Sequence, residues 1–285
     1  MSIREGIKDK KRIVIKVGTS TITYPETGNL NLGKLEKFIR ILINMRNQGK
    51  EVIVVTSGAI GVGRNALGME STPKEDEKRQ ACAAVGQGKL MMIYEKLFSE
   101  YSQLTAQVLL TKESISHKEC RENAQNTFRE LLKMHVIPIV NENDAISMDQ
   151  SKYGNFGDND TLSAYVAELV GADLLVLMSD IEGLYTDDPR ENRNAEFVHT
   201  VYRIDEKLEK MGKGAGSSLG TGGMATKIQA AKLATMVGAD MVIANGEDIS
   251  IIDDIMAGKK VGTLFQAYDA AEIRENEVAS KEENF

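Results

Sequence analysis

Short apolar runs alternate with amphipathic segments along most of the chain. The run at 12–17 is mostly apolar and β-branched, which is typical of a strand buried on both faces of a parallel sheet. Residues 32–48 instead carry apolar side chains every three or four positions, which predicts a helix, and Gly49 is placed to end it. The predicted strands are 12–17, 51–56, 105–110, 136–140, 174–178, 241–244 and 263–265. The predicted helices are 32–48, 74–99, 120–134, 161–170, 224–237 and 250–256.

This alternation predicts an α/β fold whose mostly parallel sheet is covered by helices on both faces. Pro138 indicates an irregular or edge position for the strand at 136–140. Folds of this class bind ligands beyond the carboxyl ends of their strands. Polar or glycine-rich residues follow several predicted strands directly, which indicates one shared cleft. These residues are 18–20, 57–61, 141–144, 179–180 and 245–246.

Composition narrows the classes of function. With 42% hydrophobic and 27% charged residues the chain is typical of globular proteins, and its net charge of −7 argues against a nucleic-acid-binding surface. Cys82 and Cys120 are too few for a disulfide framework or a cysteine-built zinc site, and they fit a reduced setting. Residues 1–12 lack the apolar core of a signal peptide, and no run of about 18 apolar residues occurs. The expectation is a cytoplasmic protein without a membrane segment.

The stretch Gly157-Asp-Asn-Asp160 places two carboxylates and an amide directly before the predicted helix at 161–170. One Asp or Asn is enough to cap the first N–H groups of a helix. The surplus suggests a site that gathers cations, and these are either lysine side chains or a metal ion.

Two lysines lie in glycine-rich settings that suit phosphate. Lys16 is near the end of a hydrophobic strand, where it needs an anionic partner unless it lies at a sheet edge with its amine in water. Lys227 is in the first turn of a predicted helix, where it opposes the helix dipole unless a polyphosphate binds there; the alternative is a flexible linker and an exposed lysine. Neither motif is a Walker A loop. Together the residues predict a phosphoryl-transfer site without a P-loop.

Three further loops offer binding groups. The turn at 56–61 has small residues at a helix start, which suits a carboxylate or phosphate, although a serine-capped helix is the alternative. Residues 141–144 combine acceptors with amide donors and could hold the ammonium group of an amino acid, or form an Asx turn. The polar loop at 179–189 could hold a nucleotide base or ribose.

In their order along the chain, these motifs resemble the glutamate 5-kinases of the amino acid kinase family. The resemblance extends over about residues 12–265, and the ordered set is far more specific than any single motif. One departure is Ser179, where many members have threonine. The motifs are Lys16-Val-Gly-Thr-Ser20, Thr56-Ser-Gly-Ala-Ile-Gly61, Asn141-Glu-Asn-Asp144, Gly157-Asp-Asn-Asp160, Gly183-Leu-Tyr-Thr186 with Asp188-Pro-Arg190, and Gly220-Thr-Gly-Gly-Met-Ala-Thr-Lys227.

The resemblance implies a three-layer αβα sandwich with an open, mostly parallel sheet of about eight strands. It implies transfer of the ATP γ-phosphoryl group, with Mg²⁺ on the phosphates, to the side-chain carboxylate of L-glutamate in the first step of proline biosynthesis. Carried onto this sequence, the catalytic residues are Lys16, Asp160 and Lys227. The substrate-binding residues are Ser57, Asp144 and Asn159. The ATP-binding residues are Lys16, Ser179, Asp180, Thr221, Gly222, Gly223, Met224, Ala225, Thr226 and Lys227, and no residue is assigned to a metal.

The resemblance also sets expectations for organisation and partners. Residues 1–270 form one kinase domain, in which the N-terminal part binds substrate and the part after about residue 175 binds nucleotide. Residues 271–285 form a charged tail, and no PUA domain is expected. The implied partners are L-glutamate, ATP, proline as a feedback inhibitor, a glutamyl-phosphate reductase and further copies of the chain. The alternatives are a related kinase with another carboxylate or carbamate acceptor, and a non-catalytic sensor on the same fold.

Overall fold

The computed structural model describes residues 3–147, 156–187, 189, 191–206, 208–209 and 223–269. A short 3-10 helix, Glu5–Asp9, precedes the first strand. The strands are β1 Arg12–Val17, β2 Glu51–Val55, β3 Thr105–Leu110, β4 Ile137–Glu142, β5 Leu174–Ser179, β6 Leu184–Tyr185, β7 Phe197–Val198, β8 Thr200–Val201, β9 Asp240–Asn245 and β10 Thr263–Phe265. The helices are α1 Thr19–Ile22, α2 Leu32–Asn47, α3 Ala59–Ala66, α4 Asp76–Ser99, α5 Lys112–Ser116, α6 Lys118–Lys133, α7 Asn159–Val170, α8 Met224–Met236 and α9 Ile251–Met256.

The described strands form an eight-stranded sheet in the order β3-β4-β2-β1-β5-β9-β10-β8, with a separate β6-β7 hairpin. All neighbours in the large sheet are parallel except β9 and β10, which are antiparallel. Helices α2, α4 and α9 pack on one face, and α6, α7 and α8 pack on the other. The predicted α/β class and the mostly parallel, eight-stranded sheet are therefore confirmed.

Alternation along β1 assigns its side chains to the two faces. Ile13, Ile15 and Val17 belong to the core under α2 and α4, whereas Val14 belongs to the core under α7 and α8. Successive side chains of a strand point to opposite faces. Lys16 is two positions after Val14, so its side chain points to the same face, toward the layer that contains α7 and α8.

Two local expectations concern β4, and the structure contradicts the edge position for Pro138 and the placement of residues 141–142 after the strand. Pro138 lies in the second strand from the edge, because β4 pairs with β3 on one side and β2 on the other. Ile137 donates its N–H to Leu104 in the direction of β3, so the Pro138 nitrogen faces β2, whose pairing with β4 begins only at Ile139. The missing N–H of proline therefore falls outside the ladder. Asn141 and Glu142 are the last residues of the strand and do not follow it.

Helices α3 and α4 approach each other at two glycines. A Cβ atom at Gly63 would lie 1.8 Å from the carbonyl oxygen of Cys82, and one at Gly86 would lie 1.8 Å from that of Ala59. These distances are far below van der Waals contact, so only glycine permits this packing. The close approach holds the start of α3 against α4.

Gly63→Ala is expected to destabilise the protein, because the added methyl group forces α3 and α4 apart. Overpacking of this kind costs about 1–3 kcal/mol of unfolding free energy, occasionally more. Urea unfolding measures the change. Gly61→Ala is the matched control on the same helix: a Cβ there meets nothing within 4 Å, and alanine is the better helix former by up to about 1 kcal/mol. Equal stability of the two variants would contradict the close packing.

No helix in the described ranges is long and apolar enough to cross a membrane.

Candidate active site

A buried carboxylate joins the two lysines that the sequence singles out. Asp160, which is 2% exposed, lies in the first turn of α7. Its Oδ1 is 2.6 Å from Lys16 Nζ, and its Oδ2 is 2.9 Å from Lys227 Nζ. We refer to Lys16, Asp160 and Lys227 as the triad. Two ammonium groups on one carboxylate leave a net charge of +1, which suits an anion.

The charges of the lysines control the ionisation of Asp160. Burial alone would raise the pKa of this carboxyl, but the charges and hydrogen bonds of Lys16 and Lys227 outweigh burial and lower the pKa below its ordinary 3.8. Asp160 is therefore ionised at neutral pH, and it holds both ammonium groups in place.

Three elements that are distant in sequence supply the triad. Lys16 comes from the central strand β1, Asp160 from the start of α7 and Lys227 from the first turn of α8. Asp158 caps α7, since its Oδ1 accepts a hydrogen bond of 2.9 Å from Thr161 N. Gly18 leaves room beside β1, because a Cβ atom there would lie 3.3 Å from Lys16 Nζ.

Asn159 connects the triad helix to the turn after β2. Its Nδ2 donates to the Thr56 carbonyl oxygen at 2.6 Å and to Ser57 Oγ at 2.7 Å. The structure thus brings Asn159 and Ser57 into contact. Asn159 directly precedes Asp160 in α7. Helix α3 begins at Ala59, directly after Gly58, whose φ of +100° lies in the left-handed region that glycine tolerates.

A cavity of about 250 Å³ lies between α3, α4 and the carboxyl ends of β3 and β4. Burial raises the pKa of Asp144 in its wall above the ordinary 3.8, and the positive charge of Arg79 opposes this shift. An acidic wall suits the ammonium group of an amino acid. The cavity is lined by Ala59, Ala83, Ala84, Gln87, Gly88, Gln107, Leu109, Glu142, Asn143, Asp144 and Ala145.

The described residues expected to bind ATP lie on β1 (Lys16), at the end of β5 and at the start of α8. Ser179 Oγ is 3.1 Å from Asp180 Oδ1, and the Ser179 carbonyl accepts from Gly246 N at 2.7 Å. Thr226 Oγ1 donates to the Gly223 carbonyl at 2.8 Å. Met224 and Ala225 begin α8. Thr221 and Gly222 lie outside the described residues, as do the rest of the glycine-rich segment at 214–222, Asp188, Arg190 and the tail at 271–285.

Sequence reasoning missed several polar residues behind the site. The Tyr94 hydroxyl lies 2.9 Å from Thr56 Oγ1, and burial raises the pKa of Tyr94 to about 12, so the phenol is neutral. Gln87 in α4 is hydrogen-bonded to Asn141 at 3.0 Å. The only local signal for Gln87 is its place between Gly86 and Gly88, which indicates close packing but no chemistry. Within the described residues, no cluster of three or more His, Cys, Asp or Glu residues could hold a metal ion.

Comparisons with known proteins bear on this site. The model of the amino acid kinase family matches residues 11–245. A protein of Clostridium perfringens named glutamate 5-kinase is 52% identical over 93% of this chain and 98% of its own length. A glutamate 5-kinase of Carboxydothermus hydrogenoformans is 51% identical over 92% of this chain and 70% of its own length.

Two solved structures with low sequence identity have the same fold. Carbamate kinase from Giardia lamblia bound to AMP-PNP superposes with a TM-score of 0.62 at 13% identity, covering 92% of this chain and 100% of that one. UMP kinase from Ureaplasma parvum has a TM-score of 0.61 at 15% identity, covering 90% and 99%.

Proposed function

The chain belongs to the amino acid kinase family, and we propose that it transfers the γ-phosphoryl group of ATP to the side-chain carboxylate of L-glutamate. The product is L-glutamyl 5-phosphate, the first intermediate of proline biosynthesis. The buried triad is the observation that carries the proposal, because it concentrates two ammonium groups at the carboxyl end of the sheet. The relatives named glutamate 5-kinase support glutamate as the acceptor.

The reaction needs no general base. The glutamate side chain has a pKa of about 4.3, so at neutral pH it is already an ionised nucleophile. One carboxylate oxygen attacks the γ-phosphorus, a new O–P bond forms, and the bond to the bridging oxygen breaks with ADP as the leaving group. Catalysis then consists of positioning and charge stabilisation. This agrees with a site built from lysines, amides and carboxylates.

The lysines and the carboxylate of the triad have different tasks in this reaction. Lys16 and Lys227 stabilise the negative charge of the transferring phosphoryl group, as positioned cations do in phosphoryl transfer. Asp160 touches neither substrate in this proposal and holds the two ammonium groups in register. Mg²⁺ enters as part of MgATP, held by the phosphates.

The two substrates are proposed to bind at opposite ends of the cleft. Asp144 in the cavity wall and Asn159 at the start of α7 bind the amino acid, and Ser57 assists from the turn before α3. ATP binds beyond β5 and at the start of α8, through Ser179, Asp180, Lys16 and residues 221–227. Apart from Lys16, these residues lie in the part of the proposed 1–270 kinase domain after about residue 175.

A coupled assay of ADP release tests the proposal. Glutamate is expected to stimulate ADP release strongly, whereas acetylglutamate, aspartate and carbamate are expected to have little effect. Stimulation by one of those three in place of glutamate would identify a related kinase. ADP release that does not respond to any acceptor would favour a non-catalytic sensor.

Protonation of Asp144 is expected to lower kcat/KM for glutamate at acid pH, which gives the pH profile an acid limb. Its pKa is raised by burial, so it becomes protonated at a higher pH than an exposed Asp and then loses its attraction for the ammonium group. Asp144→Asn is expected to raise the KM for glutamate about tenfold and to flatten this limb. Parallel pH profiles of wild type and variant, which share the same substrate ionisation, provide the measurement.

The same carboxyl has an expected effect on stability, with a defined sign. A raised pKa means that the folded state binds the proton more tightly than the unfolded state. The associated stability is therefore fully present below pH 3.8 and is lost as the pH rises through the raised value. At neutral pH Asp144→Asn should then be more stable than wild type, and the difference should disappear in acid. A less stable variant at neutral pH would contradict this.

Further proposals concern partners and location. Proline as a feedback inhibitor is tested by repeating the coupled assay with proline. A channelling assay tests whether a glutamyl-phosphate reductase takes the acyl phosphate directly. Sedimentation tests whether several copies of the chain associate. A cytoplasmic location is supported by the two free cysteines, and the net charge of −7 gives no support for a nucleic-acid partner.

A further inference from the structure

A buried hydroxyl group of β10 is inserted into the β6-β7 hairpin. Thr263 is 0% exposed, and its Oγ1 accepts a hydrogen bond from Leu184 N at 2.8 Å and donates one to the Val198 carbonyl oxygen at 2.6 Å. Leu184 and Val198 are opposite each other in the hairpin. The Thr263 side chain therefore bridges the two strands of the hairpin and connects both of them with the main sheet.

The Thr263 hydroxyl uses its donor and its acceptor capacity in these two bonds. A backbone N–H can only donate and a backbone carbonyl can only accept, so the direction of each bond is fixed. Gly183 packs against the same oxygen, because a Cβ atom there would lie 2.5 Å from Thr263 Oγ1, and its φ of +154° disfavours other residues. Both the backbone and the packing of this turn are thus adapted to a hydroxyl group at position 263.

The hairpin begins with the segment 180–186, which directly follows β5 at the carboxyl end of the sheet. A second contact holds this segment, because Asn245 Nδ2 donates to Glu182 Oε1 at 2.9 Å, but that contact is exposed. The contact with Thr263 is buried, and a buried N–H that loses its partner costs more than an exposed one, which binds water instead. Thr263 is therefore the stronger of the two anchors.

The charge of the segment 180–186 indicates which part of ATP it suits. It contains the carboxylates of Asp180 and Glu182 and no lysine or arginine, so it repels phosphate groups. Carboxylates accept hydrogen bonds from ribose hydroxyls and from the amino group of a base. The nucleoside end of ATP therefore fits this segment, whereas the phosphates fit the positively charged triad.

We propose that Thr263 is a positioning residue that holds the segment 180–186 in the arrangement that binds the nucleoside part of ATP. A fully buried side chain does not touch ATP, so Thr263 acts through Leu184 and Gly183. This inference rests on the proposed function, because ATP is the proposed phosphoryl donor.

Thr263→Val tests the proposal, because valine keeps the shape of the side chain and removes the hydroxyl group. Calorimetry with the ATP analogue AMP-PNP and Mg²⁺ is expected to show a Kd raised about tenfold. Loss of a buried hydrogen bond lowers the fraction of protein in the binding arrangement, and the apparent affinity falls with that fraction. The Kd for inorganic tripolyphosphate and the KM for glutamate at saturating ATP should change less than about twofold, because these ligands bind at the triad and the cavity.

Two further variants separate positioning from a general loss of stability. Thr263→Ser restores the hydroxyl group, so the Kd for AMP-PNP should stay within about threefold of wild type. Thr235→Val is the matched control, because Thr235 is 1% exposed and its Oγ1 donates to the Ala231 carbonyl at 2.8 Å within α8. The same chemical change there should leave the affinities for AMP-PNP and tripolyphosphate unchanged.

Three outcomes would overturn the proposal: an unchanged AMP-PNP affinity in Thr263→Val, an equal loss of tripolyphosphate affinity, or a Thr263→Ser variant that binds as weakly as Thr263→Val. If Thr263→Val does not fold, Gly183→Ala takes its place, since the added methyl group displaces the segment from Thr263. It should weaken AMP-PNP binding and spare tripolyphosphate, and unchanged binding would overturn the proposal. A wild-type protein that does not bind AMP-PNP would instead refute the proposed function, and one that binds it without glutamate-dependent ADP release would refute only the proposed acceptor.

Discussion

Replacing Lys227 with alanine is expected to lower kcat about a thousandfold, the scale seen when one charge-stabilising donor is removed from an active site. Lys227 is 5% exposed, and its Nζ is held 2.9 Å from Asp160 at the start of α8. The KM for ATP should change by only about a few fold, because a group that acts mainly on the transition state affects kcat more than binding. Steady-state kinetics with MgATP and glutamate measure both quantities.

A matched substitution separates loss of charge from loss of packing. Lys227→Met keeps the apolar stem, so it should lose as much kcat as the alanine variant and less stability. Lys232→Met changes a lysine on the same helix that forms a surface pair with Glu209 at 2.7 Å. Surface pairs contribute little, so this control should keep wild-type kinetics and stability. Normal turnover in Lys227→Met would exclude Lys227 from the mechanism.

Asp160→Asn is expected to lower both turnover and stability, because two lysines lose the anion that holds them. Breaking a buried ion pair from one side costs about 3–5 kcal/mol of unfolding free energy. Lys16 and Lys227 would also repel each other and leave their positions, so kcat should fall at least about a hundredfold while the KM for ATP changes less. Urea unfolding and steady-state kinetics provide the two measurements.

The stability change of this variant should depend on pH in a defined direction. The folded pKa of Asp160 is lowered, so its contribution to stability is present above pH 3.8 and is lost as the pH falls through the lowered value. The difference in unfolding free energy between wild type and Asp160→Asn should therefore shrink in acid. A difference that stays constant down to the acid transition would contradict the ion-pair explanation.

Asp240→Asn is the matched control for Asp160→Asn. Asp240 is also buried and lies 2.8 Å from a lysine, Lys10, but it is at the amino end of β9, away from the cleft. The same chemical change should therefore destabilise the protein without lowering kcat. If the two variants lost turnover equally, the role of Asp160 would be structural, and the proposed mechanism would need another organiser for the lysines.

Much of the fold could be predicted from local pattern. The apolar run of β1 and the helical period of α2 identify these elements without any knowledge of their neighbours. Polar residues after the strands predicted one shared cleft, because parallel strands end on the same side of a sheet. The family assignment, which rested on ordered motifs, is confirmed by the match to residues 11–245 and by relatives at about 50% identity.

Other features could not be predicted, since they depend on contacts between distant segments. Pro138 indicated an irregular or edge position, and its strand lies inside the sheet; proline is tolerated there because the pairing with β2 begins one residue later. Gln87 carries no local signal of its hydrogen bond to Asn141, which is 54 positions away in the sequence. The antiparallel pairing of β10 with β9 depends on the path of the chain between the two strands. The three residues of β10 alone do not indicate the direction of pairing.

The triad separates what the sequence predicts from what only the tertiary structure determines. The sequence by itself determined that Lys16 and Lys227 lie in settings that favour an anionic partner and that residues 157–160 carry more acid than a helix cap requires, because these are properties of single residues in local settings. Only the tertiary structure decided that one carboxylate, Asp160, meets both lysines. That contact requires the Lys16 side chain to point to one face of the sheet, and it requires α7 and α8 to pack over that same face.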